Sequence, residues 1–182
     1  MSILQVAIDN YFANHWNGGG DKWSITNVKN ISSKIRDSEC VLDVGCGYNP
    51  FKDKLLNLYA FDPAINSGDE MCSLEDFDNN GELWDVILCM GSINFGNIEH
   101  IHQQVSKIVS ILEPGGRIYW RQNPGHVDHN NEACTIIPFF PWDIQLNYKI
   151  AKQYGCKVTD IQIDHHTVAD RIRIYAEWTK LK

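Results

Sequence analysis

Val41-Leu42-Asp43-Val44-Gly45-Cys46-Gly47-Tyr48-Asn49-Pro50-Phe51 is an apolar run that carries an acid and passes straight into Gly-x-Gly. Such a run reads as a strand whose carboxyl end turns sharply beneath a ligand. Glycine suits that turn because a Cβ would forbid the backbone angles or fill the ligand's space. Tyr59-Ala60-Phe61-Asp62-Pro63 repeats the theme, a short apolar run closed by an acid. Trp84-Asp85-Val86-Ile87-Leu88-Cys89-Met90-Gly91 is a third run, ending in a small residue. Together they predict an α/β architecture with a nucleotide-type site at the sheet's carboxyl edge.

The chain has 182 residues, enough for one domain with a proper core. Its 43% hydrophobic and 21% charged residues are those of an ordinary globular protein. No apolar run approaches the roughly 20 residues of a membrane span. Residues 1–10 lack a basic leader, and Gln5 and Asp9 break their apolar stretch, so no secretory signal is expected. The six cysteines form no CxxC pair, and several sit in apolar runs, which favours a reducing, cytoplasmic setting. The net charge of −7 and the scattered lysines and arginines lower the expectation of a nucleic-acid partner.

Apolar side chains at Leu4, Ile8, Tyr11, Phe12 and Trp16 have helical spacing over residues 3–16, and Gly18-Gly19-Gly20 then breaks the helix. A second helix is expected from Thr26 as N-cap, with Val28, Ile31 and Ile35 on one face. Residues 1–38 thus read as a helical cap or lid on a core formed by 39–182. In that core, strands are expected at 40–45, 58–62, 84–90 and 117–122, with a weak one at 70–74. A short helix is expected at 51–57. Ile98, Ile101, Val105, Ile108, Val109 and Leu112 mark an amphipathic helix ended by Pro114-Gly115-Gly116. Residues 142–154 read as a helix, and 157–164 with 171–179 as a closing antiparallel pair.

Four segments resemble the class I S-adenosylmethionine-dependent methyltransferase family: Leu42-Asp43-Val44-Gly45-Cys46-Gly47, Phe61-Asp62-Pro63, Trp84-Asp85-Val86-Ile87 and Leu112-Glu113-Pro114-Gly115-Gly116-Arg117-Ile118. The resemblance covers residues 40–180. It implies a three-layer Rossmann-like sandwich on a seven-stranded, mostly parallel sheet with one antiparallel strand. It also implies S-adenosyl-L-methionine as the cofactor and a set of contacts. Gly45, Cys46 and Gly47 would pass under the methionine part, which Asp43 would orient. Asp62, followed by Pro63, would accept hydrogen bonds from the ribose hydroxyls. Asp76 or Phe77 would meet the adenine, and Met90 and Gly91 would border the sulfonium. The chain departs from the family in three places. Only 14 residues separate Gly47 from Asp62, the third strand is weak, and Gly91-Ser92-Ile93-Asn94-Phe95 stands where base-amino methyltransferases carry Asn/Asp-Pro-Pro-Tyr/Phe.

The competing reading of Gly-x-Gly is a dinucleotide site, but Pro50 occupies the place of that fingerprint's third glycine. His126, His129 and the later His165-His166 raise the question of a metal, yet no spacing sets a third ligand, so no metal centre is expected. His126, His129 and His15 are instead candidate bases, and Asn94 and Tyr11 candidates to orient an acceptor. The loop 123–141, with Phe139, Phe140 and Trp142 beside it, reads either as acceptor pocket or as core. The expected activity is methyl transfer to a small molecule or a side chain. The alternatives are a nucleic-acid methyltransferase, a non-catalytic regulator on the same fold, and an enzyme that uses the cofactor without transferring methyl.

Overall fold

β-Branched and aromatic runs bounded by turn residues become the strands of a single six-stranded sheet in the computed structural model, which describes residues 3–16, 18, 22–125 and 132–182. The strands are β1 (Val41–Val44), β2 (Leu58–Phe61), β3 (Trp84–Cys89), β4 (Leu112–Gln122), β5 (Cys156–His165) and β6 (Ile172–Lys180). The helices are α1 (Ile3–Asn14), α2 (Val28–Ser32), α3 (Ile98–Ser110) and α4 (Ile144–Gln153). The sheet order is β2-β1-β3-β4-β6-β5. Neighbours from β2 to β4 are parallel, and β6 runs antiparallel to both β4 and β5. The single antiparallel strand agrees with expectation.

The count of seven strands does not. Residues 70–74 contribute one parallel bridge, Phe61 to Glu70, and no strand. Asp69 takes the pairing instead: its carboxylate accepts from Ala60 N at 2.8 Å, and its own N–H donates to Ala60 O at 2.7 Å. The expected helix at 51–57 is a run of turns. The Pro114-Gly115-Gly116 stop lies inside β4, as an irregularity between the pairings Trp84–Leu112 and Val86–Arg117.

Two apolar layers result, and they are unequal. On one face α3 and α4 bury Ile101, Val105, Ile108 and Ile150 against Ile87, Ile118, Trp120 and Trp178. On the other, the five-residue α2, Ile35 just beyond it and the turns at 51–55 cover Val41, Val86, Leu88 and Tyr119. A third cluster packs Ile8 and Tyr11 of α1 on Phe95, Cys134 and Ile137, beyond the carboxyl edge of the sheet. No helix among the described residues is long and apolar enough to cross a membrane.

Thr26 is not the N-cap of α2. Asn27 is, its side chain accepting from Asn30 N at 2.8 Å. Thr26 is held from far along the chain, by the buried carboxylate of Asp164 on β5. That group accepts from Ser24 Oγ (2.8 Å), Ile25 N (2.8 Å), Thr26 N (3.2 Å) and Thr26 Oγ1 (2.7 Å). Replacing Asp164 by Ala strands these donors. It is expected to cost about 3 kcal/mol and to lower the melting temperature by about 6–12 °C. Asp164→Asn is expected to recover about half of that in the same melts, since it keeps one acceptor oxygen.

Candidate functional site

The carboxyl edge of the parallel strands opens into a cavity of about 590 Å³, a size suited to a cofactor with a small second ligand. Its floor is the loop after β1. Gly45 and Gly47 have φ of +67° and +56°, the left-handed region that side chains disfavour. A Cβ on Gly45 would lie 2.5 Å from the Ser92 side chain, and one on Gly47 would lie 3.0 Å from the Trp16 indole. The loop is pinned to the end of β2. Gly45 N and Cys46 N both donate to Phe61 O, and Gly47 N donates to Asp62 Oδ2 at 2.9 Å. Asp62 Oδ1 accepts from Ala64 N and Ile65 N at 2.8 and 2.9 Å. One buried acid thus fixes the glycine loop and the turn after its own strand.

Asp43, at the end of β1, is 2% exposed, and its Oδ1 is buried without a hydrogen-bond partner. Burial first, then the neighbouring Asp62 carboxylate, push its pKa up to about 7. A buried carboxylate with one partnerless oxygen beside a glycine cradle can receive a cationic group. Cys46 is inert by the same physics: burial, then Asp43 and Asp62, push its thiol up to about 12. Trp16 closes this end of the cavity, stacked on Tyr48 with ring centres 5.3 Å apart and planes 10° from parallel.

Most sequence-expected residues converge here. Asp43, Gly45, Cys46, Gly47, Asp62, Pro63, Met90, Gly91, Asn94, Tyr11 and His15 all line the cavity. Asp76 and Phe77 do not. Phe77 is buried, stacked on Phe61 at 4.5 Å, and Asp76 is exposed, accepting from Ser73 Oγ at 2.8 Å. Ser73, Leu74 and Glu75 take that place in the wall. With no third strand to hold it, the segment presents residues a few positions earlier than the pattern predicts. Asn94 spends its side chain on backbone, donating to Gly91 O (2.9 Å) and Arg121 O (3.3 Å) and accepting from Asn123 N (2.8 Å). It ties the loop after β3 to the end of β4. Phe139 lines the cavity, whereas Phe140 and Trp142 are core. His126 and His129 lie outside the described residues.

The reading of the sequence placed Trp23 only within the cap or lid, and among the lining residues it missed are Arg121, Arg171 and Arg173. Their one signal was an arginine at the end of the fourth run and two at the start of the last.

No family model matches the sequence, and no curated protein does. Solved structures do match the fold. Magnesium protoporphyrin IX methyltransferase from Synechocystis, with S-adenosylhomocysteine bound, superposes with a TM-score of 0.72 at 12% identity, over 97% of this chain and 99% of that one. The N-methyltransferase NodS from Bradyrhizobium japonicum, also with S-adenosylhomocysteine, gives 0.67 at 14% identity over the whole of both chains. The 1,6-didemethyltoxoflavin-N1-methyltransferase of Burkholderia thailandensis gives 0.67 at 15% identity, over 85% of this chain and 76% of that one. The chain therefore has the class I S-adenosylmethionine-dependent methyltransferase fold, with its outermost strand reduced to a single bridge.

Proposed function

We propose that the protein is a methyltransferase that takes S-adenosylmethionine as donor and a small molecule as acceptor. The observation that carries this reading is the partnerless, buried Asp43 oxygen beside the Gly45–Gly47 cradle. When bound, S-adenosylmethionine supplies a methyl group already activated on a sulfonium. The protein's task is alignment, which can supply several kcal/mol of the barrier. Asp43 faces the cationic methionine end. Asp62 accepts from the ribose through Oδ2, which holds one amide and has a second lone pair free, while Oδ1 with its two amides keeps the loop in shape. Leu74 and Glu75, rather than Asp76 and Phe77, border the adenine. Gly91 leaves the mouth of β3 open for the methyl group. Asn94 sets the loops around the acceptor, Tyr11 of α1 roofs them, and His15, His126 and His129 are the candidate bases for an acceptor that must lose a proton.

Calorimetric titration tests this directly. Micromolar binding of both S-adenosylmethionine and S-adenosylhomocysteine by the folded protein is the expected result. Absence of heat with either ligand, with an intact melting transition, would remove the donor site and with it the proposed activity.

A further inference from the structure

Charge in the cavity is sorted by strand. Of the acids that line it, Asp43 and Asp62 sit at the ends of β1 and β2, Asp9 of α1 lies near enough to Asp62 to feel its charge, and Glu75 comes from the loop after β2. The arginines belong to the other half of the sheet: Arg121 at the end of β4, Arg173 at the start of β6, and Arg171 in the link before it. Because β6 is antiparallel, its first residues emerge at the same edge as the last residues of the parallel strands. Strands are spaced about 4.8 Å apart, so the order β2-β1-β3-β4-β6 sets Asp62 and Arg173 about 19 Å from each other across one cavity.

The basic half is built rather than incidental. Arg121 pairs in register with Tyr175, two residues from Arg173, so both arginines leave the same face of the sheet. Their guanidinium carbons lie 4.6 Å and 5.3 Å from the ring centre of Trp23, which is itself buried. Arg173 is 6% exposed, a rare degree of burial for a guanidinium. Against Trp23 rests His166, whose Nδ1 accepts from Ala169 N at 2.8 Å, so that its neutral form carries the proton on Nε2. Burial, then Lys22, Arg171, Arg121 and Arg173, hold this imidazole below its ordinary pKa. A chain of net charge −7 has thus concentrated cations in one wall of one pocket. The guanidinium of Arg121 reaches the loop after β3, with Nη1 3.5 Å from the position a Cβ on Gly91 would take. Phe12, Phe95 and Phe139 give the same cavity an apolar lining.

The geometry points to an anionic acceptor: a small apolar or aromatic carboxylic acid whose carboxylate is held by Arg121, Arg171 and Arg173, with its body among the phenylalanines. This rests on the donor reading above, since it is the acidic half that takes the cationic donor. Arginine suits the task because its planar fork meets a carboxylate with two parallel hydrogen bonds.

The test uses protein saturated with S-adenosylhomocysteine and titrated with benzoate, benzamide and inorganic phosphate, followed by calorimetry and tryptophan fluorescence. Benzoate is expected to bind at least about tenfold more tightly than its neutral isostere benzamide, as expected for charge-assisted recognition. Arg121→Gln and Arg171→Gln are each expected to weaken benzoate about tenfold and to leave S-adenosylhomocysteine affinity within about twofold. Arg173→Lys, which keeps the buried charge, serves where Arg173→Gln fails to fold, and is expected to lose part of the effect. Equal binding of benzoate and benzamide, or arginine variants that bind benzoate like the parent, would overturn the inference while the donor site stands. Phosphate binding tighter than benzoate would overturn the carboxylate assignment in favour of a phosphate ester. Failure to bind S-adenosylhomocysteine sinks the donor reading instead, and benzoate against benzamide on the unloaded protein still decides the anion site.

Discussion

Asp62→Ala is expected to reduce S-adenosylmethionine affinity by at least about 100-fold, or roughly 2.7 kcal/mol. Two losses combine. The carboxylate holds Gly47 N, Ala64 N and Ile65 N at 2.8–2.9 Å, so its removal frees the glycine loop from β2. It also removes the acceptor proposed for the ribose. The stranded amides are expected to cost about 2–4 kcal/mol of folding stability, visible as a lower melting temperature. Asp62→Asn separates the two effects, because one amide oxygen can keep part of the backbone contact while the charge is gone. A variant that melts lower yet binds the donor with parental affinity would count against the ribose role and leave Asp62 as loop scaffold.

Asp43→Asn is expected to move stability and binding in opposite directions. In an unfolded chain this carboxyl ionises near pH 4, whereas in the fold it does so at about pH 7. The folded state therefore holds the proton more tightly, and stability falls as pH rises from about 4 to 7 and stays low above that. Removing the charge at pH 8 is expected to return about 2–4 kcal/mol and to raise the melting temperature by about 5–10 °C. At pH 4 the parent and the variant are expected to melt nearly together. Donor affinity behaves in reverse: in the parent it is expected to weaken about tenfold per pH unit below 7, because a proton competes with the cationic ligand. The variant is expected to bind weakly at every pH. Calorimetry between pH 6 and 7.5 checks this, and a flat profile in the parent would refute it. Stability given up at a site that a ligand then satisfies is the usual trade at functional positions.

What the sequence revealed follows from how local each signal is. The Gly45–Gly47 turn and Asp43 are legible because the demand for glycine is set within a few residues. The 3.6-residue spacing of Ile101, Val105 and Ile108 marks α3 for the same reason. Thr26 was misread as a cap because Asp164, 138 residues away, claims its hydroxyl and amide. The third strand failed because Asp69 closes the hydrogen bonds of Ala60 from within the turn, which no alternation pattern records. Arg121 and Arg173, which meet at the Trp23 ring, carried no local motif at all. Only the antiparallel return of β6 beside β4 gathers them around one ring.

The closure of Ala60 by Asp69 also bears on self-association. A sheet edge is a template for a foreign strand, and proteins blunt it by covering or charging it. At the β2 edge the central amide and carbonyl are already saturated by residues 69 and 70, and the strand is only four residues long. Strand addition from another chain is thereby directed to the opposite border. There β5 runs for ten residues, protected chiefly by side chains such as Lys157, Asp160 and Gln162. Any strand addition is thus expected at β5 rather than at β2, a polarity that favours pairs over fibres.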